Sequence, residues 1–183
     1  MTERSLFEKA VYDGAFRVLL SKEKLRQRVG ELGKEITRDY RGKDPIIIGV
    51  LNGCFIFIAD LVRAIEIDLE IDFIKLSSYG DAQVSSGRVE VLKDINADIT
   101  GRHILVVEDI VDTGMSLQFM EQKLRALHPA SLKFVSLLYK KENARVQCTV
   151  DYVGFEIPNE FVIGYGLDHK QILRNLPAVY VMD

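Results

Sequence analysis

Cysteine is scarce in this chain of 183 residues: Cys54 and Cys148 are its two thiols. Their spacing fits no zinc motif, and a sole disulfide would be unusual in a core of this size, so both are expected as reduced, buried thiols. Long hydrophobic runs are missing, because Asp, Glu, Lys or Arg interrupts every apolar stretch before it reaches a bilayer span. The opening residues, Met-Thr-Glu-Arg-Ser-Leu-Phe-Glu, carry acids early and hold no apolar segment, so no secretory signal is expected and the expected location is cytoplasmic. An excess of positive charge is missing too. With 24 Lys and Arg against 27 Asp and Glu the net charge is −3, and the pI is about 5.7. No global basic field marks nucleic acid as an obligate partner. Two phosphate signatures are also lacking. Gly33-Lys34 runs into Glu35 and Gly42-Lys43 into Asp44, which excludes a P-loop, and no Gly-x-Gly-x-x-Gly follows a strand. Internal repeats, low-complexity segments and linkers are absent as well.

What is present is a chain 48% hydrophobic, enough for one good core and read as a single domain over residues 1–183. Ser21 stands before Leu25, Val29, Leu32, Ile36 and Tyr40, which predicts a helix capped by serine and stopped at Gly42. Ile46 to Leu51 predict a buried strand ending at Asn52-Gly53, and Phe55, Ile58, Ala59, Val62 and Ile65 a helix after it. Leu69, Ile71 and Phe73 alternate with Glu70 and Asp72 as in a half-exposed strand running towards Leu76. Residues 77–88 are small and polar apart from Tyr79 and Val84, and a loop of that length inside a compact domain is expected to act as a lid. Alternation resumes at Val89 and Val91. Leu132 to Tyr139 predict another strand, and Tyr152–Phe155 and Phe161–Ile163 two short ones.

The stretch His103–Leu117 organises the rest. Ile104 to Val107 are unbroken apolar, mostly β-branched residues that suit a buried strand, and Glu108 and Asp109 follow at its expected C-terminal end. Asp112, Thr113 and Gly114 make a turn, and Leu117, Met120, Leu124 and Leu127 lie on one face of a helix. Two strand–turn–helix units in a short chain predict an α/β fold with a mostly parallel twisted sheet flanked by helices. In such sheets ligands bind at the strands' carboxyl ends, and the backbone N–H groups opening a helix suit a phosphate. An adjacent acid pair there can accept from ribose hydroxyls and hold the water shell of Mg²⁺. A solvated strand end or a helix cap is the structural alternative for each acid. The run Ile-Leu-Val-Val-Glu-Asp also suggests a phosphoacceptor receiver domain, but that needs an aspartate closing a later strand, and Asp151 precedes its strand.

Residues 106–116, Val-Val-Glu-Asp-Ile-Val-Asp-Thr-Gly-Met-Ser, resemble the phosphoribosyl-pyrophosphate motif of type I phosphoribosyltransferases. Val50-Leu51-Asn52-Gly53, Ser77-Ser78-Tyr79-Gly80 and Asp151-Tyr152-Val153-Gly154-Phe155-Glu156-Ile157-Pro158 resemble the hypoxanthine-guanine branch. The resemblance implies transfer of 5-phosphoribose to a purine ring nitrogen with Mg²⁺, in a domain whose small hood comes from the N-terminal segment and about residues 156–183. It implies that Glu108 and Asp109 hold the ribose and, with Asp168, a metal, and that Asp112 is the general base at purine N7. Ile110 and Val111 belong to the same substrate-binding run, and Asp112, Thr113, Gly114, Met115 and Ser116 cradle the 5′-phosphate. Leu51, Asn52 and Gly53 form the pyrophosphate loop, often with a cis peptide, and Arg174 is a pyrophosphate contact. Lys140 meets the 6-oxo group, Phe161 stacks on the base, Val162 meets its 2-position, and Ser78 and Tyr79 lie in the closing segment. Asn52 departs from the pattern, since many members carry a basic residue there. The implied partners are phosphoribosyl pyrophosphate, hypoxanthine and guanine, with a homodimer or homotetramer as the assembly; Phe55, Phe57 and Ile58 are candidates for an apolar subunit interface. The competing reading is a regulator of this fold that senses the same ligands and binds nucleic acid, which the acidic composition disfavours. Lys140 and the Phe161 region disfavour a pyrimidine or adenine transferase.

Overall fold

A computed structural model of the chain describes residues 5–11, 16–79, 88–143, 146 and 149–182. Its centre is a six-stranded sheet in the order β4-β3-β2-β5-β6-β7, where β2 is Ile46–Leu51, β3 Glu70–Tyr79, β4 Arg88–Lys93, β5 His103–Val111, β6 Ser131–Tyr139 and β7 Tyr152–Glu156. Five of these strands run parallel, and β4 closes one edge antiparallel to β3. The α/β class and the mostly parallel sheet expected from the sequence are therefore what the chain adopts. From β2 the chain passes through a helix to β3 on one side, whereas β5 lies on the other. The carboxyl ends of β2 and β5 are thus the switch point, where a crevice opens.

Period-2 alternation on the inner strands feeds both faces of the sheet. Ile47, Leu105, Val107, Val135 and Leu137 point to the face covered by α2 (Lys22–Tyr40) and α3 (Phe55–Ala64). Ile46, Ile48, Ile104, Val106 and Phe134 point to the face covered by α4 (Met115–Arg125). The Ser21 cap and the stripe Leu25, Val29, Leu32, Ile36 and Tyr40 stand as expected, and the Ser21 hydroxyl accepts from the Lys24 amide. Burying each such side chain contributes about 1.5–3 kcal/mol. On α3 the buried face is Phe57, Ile58 and Leu61, so Phe57 and Ile58 are core and not interface, whereas Phe55 is exposed. Leu127 is likewise exposed, because α4 ends at Arg125.

Three elements escaped the sequence reading. The helix α1 (Leu6–Val11) opens with a capping box in which the Ser5 hydroxyl accepts from the Glu8 amide and the Glu8 carboxylate from the Ser5 amide. The strands β1 (Arg17–Leu20) and β9 (Val179–Val181) pair with each other and, through β9, with β8 (Val162–Ile163), in a second, three-stranded antiparallel sheet. Each is too short for a period to declare itself. This sheet is the hood, and Leu6, Phe7 and Phe16 pack against its buried Ile163, Leu176 and Tyr180. Polar ties fasten the layers: Arg28 on α2 donates to the Val153 and Gly154 carbonyls of β7, and the Tyr165 hydroxyl donates to Asp60 on α3. Of the expected lid over residues 77–88, 77–79 lie in β3 and Arg88 opens β4. Residues 80–87, the Ser78 and Tyr79 side chains, and Cys148 lie outside the described residues. Cys54 is a buried free thiol, and burial followed by the charges of Asp109 and Glu108 raises its pKa far above the ordinary thiol value.

Candidate active site

The acid pair stands where β5 loses one neighbour. Pairing with β2 stops at Gly49 opposite Val107, but pairing with β6 continues to Val111 opposite Tyr139. The strand therefore ends at Val111 and not at Val107 as the apolar run suggested. Glu108 and Asp109 remain held by β6 while β2 leaves them facing the crevice.

That crevice contains a cavity of about 250 Å³ joining Leu51, Asn52 and Gly53 to Glu108, Asp109, Ser116, Asp168 and Arg174. A smaller one of about 90 Å³ continues from Glu108 and Ser116 along Ile110, Val111, Asp112, Thr113 and Gly114. Four separate stretches of the sequence expectation thus meet in one place, at 51–53, 108–116, 168 and 174, whereas Lys140, Phe161 and Val162 line neither cavity. A larger cavity of about 550 Å³ lies between α2, α3 and Asn175–Pro177 and contains none of these residues. The smaller crevice is the candidate site because ionisable and helix-terminal groups converge there.

The Leu51–Asn52 peptide is cis. Gly53 is required by close approach: a Cβ there would lie 1.7 Å from an Asp109 carboxylate oxygen, and one at Gly166 would lie 2.1 Å from the Gly53 carbonyl oxygen. Two glycines let the β2 loop close onto Asp109 and the hood segment close onto that loop. Burial first, and then the Asp109 charge, pushes the Glu108 carboxyl well above the usual carboxylate range. Burial pushes Asp109 up to about 6, with Asp168 adding to the rise and its own amide, the Ile110 amide and Arg174 opposing it. Among the described residues no cationic nitrogen forms an ion pair with either acid. A buried and a half-buried carboxylate without a cationic partner are a donor set that fits a divalent cation such as Mg²⁺.

Asp168 is differently engaged. Its carboxylate meets Arg174 at 2.7 Å and accepts from the Gln171 amide at 2.7 Å, while Arg174 also donates to the Gly166 carbonyl and the Gln171 side chain. Among the described residues no three His, Cys, Asp or Glu side chains gather as a metal cluster, so Glu108, Asp109 and Asp168 are not brought together as one three-ligand set. Mg²⁺ commonly relies on one or two carboxylates plus substrate oxygens, so two protein carboxylates are compatible with its chemistry.

Past β5, Gly114 takes the left-handed conformation (φ 81°) at the N-cap of α4, and Met115 and Ser116 open the helix. The Thr113–Ser116 amides thereby stand at the N-terminal end of a helix, where an anion is favoured. Asp112 accepts from Lys140 Nζ at 3.1 Å through one oxygen and from the Asn143 amide through the other. Lys140 is buried at 7% exposure, and its backbone amide donates to the Val111 carbonyl, which aligns it with the turn. Phe161 is 54% exposed and stands edge-on to His169 at 6.1 Å, while Val162 is buried in β8. Asn143 and Gln171 were missed by the sequence reading. Asn143 lies in a short polar segment with no periodicity, and only the pairing of Lys140 with the end of β5 brings it to Asp112. Asp151, considered for a receiver domain, instead accepts from the Phe134 amide.

The model of the phosphoribosyl transferase domain matches residues 18–170. The hypoxanthine-guanine phosphoribosyltransferase of Bacillus subtilis is 43% identical over 166 residues, covering 91% of this chain and 92% of that protein. The bifunctional protein TilS/HprT of Listeria monocytogenes is also 43% identical, but the chain spans only 26% of its length. Among solved structures, a hypoxanthine-guanine phosphoribosyltransferase from Bacillus anthracis superposes with a TM-score of 0.86 at 45% identity, covering 91% of this chain and 98% of that one. A hypoxanthine phosphoribosyltransferase from Staphylococcus aureus gives 0.90 at 35% identity, covering 100% and 97%. By sequence, by fold and by the strand–acid pair–turn–helix unit at its centre, the chain belongs to the phosphoribosyl transferase family, in the branch of the hypoxanthine-guanine phosphoribosyltransferases.

Proposed function

We propose that this chain transfers 5-phosphoribose from phosphoribosyl pyrophosphate to hypoxanthine, and to guanine, releasing pyrophosphate. The observation that carries the reading is the continuous crevice in which the acid pair and cis Leu51–Asn52 loop lie at one end and the Asp112 turn at the other. The relatives named above for the same activity support it. Glu108 and Asp109 accept from the ribose hydroxyls, the Thr113–Ser116 amides and hydroxyls hold the 5′-phosphate, and Asn52, Gly53 and Arg174 face the pyrophosphate. Mg²⁺, held by Glu108 and Asp109 with Asp168 nearby, would supply charge neutralisation for the leaving pyrophosphate.

In the transfer, purine N9 bonds to the sugar carbon as the carbon–pyrophosphate oxygen bond breaks, and the N7 proton passes to Asp112. Lys140 donates to the 6-oxo group, which selects hypoxanthine and guanine over adenine, and Phe161 covers the ring. A segment around residues 77–88 closes over the sugar and excludes the water that would trap its cationic form. We read residues 1–183 as one such domain, assembled as a homodimer or homotetramer; a monomeric mass in light scattering would contradict the assembly.

Incubation with phosphoribosyl pyrophosphate, Mg²⁺ and each of four purines in turn tests the function. Nucleotide is expected from hypoxanthine and guanine but not from adenine, and absence of product from every base would overturn the reading. In the same assay Asp112→Asn is expected to lower kcat by roughly 100-fold or more with little change in KM.

A further inference from the structure

We propose that Asn143 is a positioning residue for Asp112, holding one carboxylate oxygen in place so that the other is free to take the purine proton when Lys140 turns to the base. This rests on the reading of Asp112 as the general base. Both Asp112 oxygens accept a hydrogen bond, one from Lys140 and one from Asn143. Only the amide nitrogen of Asn143 has protons to give a carboxylate, so the orientation of that side chain follows from chemistry alone. Lys140 has two tasks, the pair with Asp112 and the 6-oxo group, and its single ammonium sits on a flexible stem. When it serves the base, Asp112, with its side chain 42% exposed on a turn, loses that hold.

Asn143 suits the remaining task in two respects. It is neutral, so it orients the carboxylate without cancelling the charge that makes it a base. It is also tied to the strand end that carries Asp112. Val111 accepts from the Lys140 amide at 2.9 Å, the Lys140 carbonyl accepts from the Asn143 amide at 3.0 Å, and the Asn143 side chain returns to Asp112. Lys141–Asn143 form the single 3-10 turn that closes this ring of hydrogen bonds. A residue that merely finished the turn would need only its backbone.

The test is a double-mutant cycle in steady-state kinetics with hypoxanthine and phosphoribosyl pyrophosphate, with Tm recorded for each variant. Asn143→Ala is expected to lower kcat roughly tenfold, with KM for phosphoribosyl pyrophosphate unchanged. Asn143→Gln, which carries the same donor on a longer stem, recovers most of the loss, whereas Asn143→Asp, of the same shape without the donor, does not. In the Asp112→Asn background Asn143→Ala costs nothing further. Wild-type kcat in Asn143→Ala or Asn143→Asp, or an equal loss with and without Asp112, would overturn the positioning role. Should the alanine variant fail to fold, the comparison of Gln with Asp decides. A wild-type chain that makes no nucleotide from any purine overturns the functional reading first, whereas an active wild type indifferent to Asn143 overturns this inference alone.

Discussion

At the proposed ribose end of the crevice, Glu108 and Asp109 stand on a strand still paired to β6 and are closed in by backbone from Gly53 and, behind it, Gly166. At the proposed acceptor end, Asp112, Lys140, Asn143 and Phe161 stand on turns and strand ends, held by side-chain hydrogen bonds or left largely open to solvent. The first region is closely packed, with no ion pair to either acid among the described residues, and suits a sugar and cation that must be held in one geometry. The second has exchangeable partners, suited to a base that must enter, lose a proton and leave as nucleotide. The scaffold, not the acid count, separates the roles: Asp109 in the strand is raised to about 6 by burial, whereas Asp112, three residues on, is already paired.

The sharpest way to break the ribose end is to fill its contact. Gly53→Ala places a methyl group against the Asp109 carboxylate and is expected to lower kcat/KM for phosphoribosyl pyrophosphate by roughly 100-fold or more, because a displacement of about 1 Å is that costly in an oriented site. Activity near wild type would mean that the β2 loop is not held on the acid pair. Next in size is Lys140→Met, which keeps the buried stem and removes the ammonium. Its kcat/KM for hypoxanthine should fall by roughly 10- to 100-fold while KM for phosphoribosyl pyrophosphate stays put; an equal loss for both substrates would erase the division between the two ends. Phe161→Ala should raise KM for the purine by roughly tenfold and move Tm little, since the ring is exposed, and a large drop in Tm would reassign it to the core.

The smallest effect on activity is expected far from both ends. Asp72, near the start of β3, accepts from the Phe73, Asn96 and Ala97 amides at 2.7, 2.5 and 2.9 Å. Burial acts to raise its carboxyl, but the Ala97, Phe73 and Asn96 amides and the Lys93 ammonium outweigh it and hold the pKa below the ordinary value. A folded value below the unfolded one makes the stabilisation present above the unfolded carboxylate pKa of about 4, and lost as pH falls through the lowered folded value. Asp72→Asn should therefore cost about 1–3 kcal/mol at neutral pH, flatten the acid limb of stability and leave kcat unchanged. A kcat that moved with it would show that the scaffold and the site are coupled.

The fold was legible wherever a period could repeat. The α2 stripe from Leu25 to Tyr40 and the runs at Ile46 and Ile104 announce themselves, and strand–turn–helix units imply a parallel sheet. Of the hood strands only β8 was anticipated, as Phe161–Ile163, whereas β1 and β9 are four and three residues long and take their pairing from partners distant in the chain. Phe55, Ile58, Ala59, Val62 and Ile65 gave the helix, and Ile58 and Ile65 are buried, but only packing against the sheet decides that Phe57 and Leu61 turn inward while Phe55 and Ala59 face out.

By itself the sequence determined the chemistry on offer at His103–Leu117: two adjacent carboxylates, a turn aspartate and a helix N-terminus in fixed order, all local consequences of residue type and period. Tertiary structure alone decided how those groups are used. The end of β2–β5 pairing at Val107 opened the crevice, Gly53 let backbone reach Asp109 with Gly166 packed behind it, and the bond of the Lys140 amide to Val111, just past β6, brought Asn143 to Asp112. Each depends on where one strand outlasts its neighbour, a balance of long-range pairings that no local pattern records.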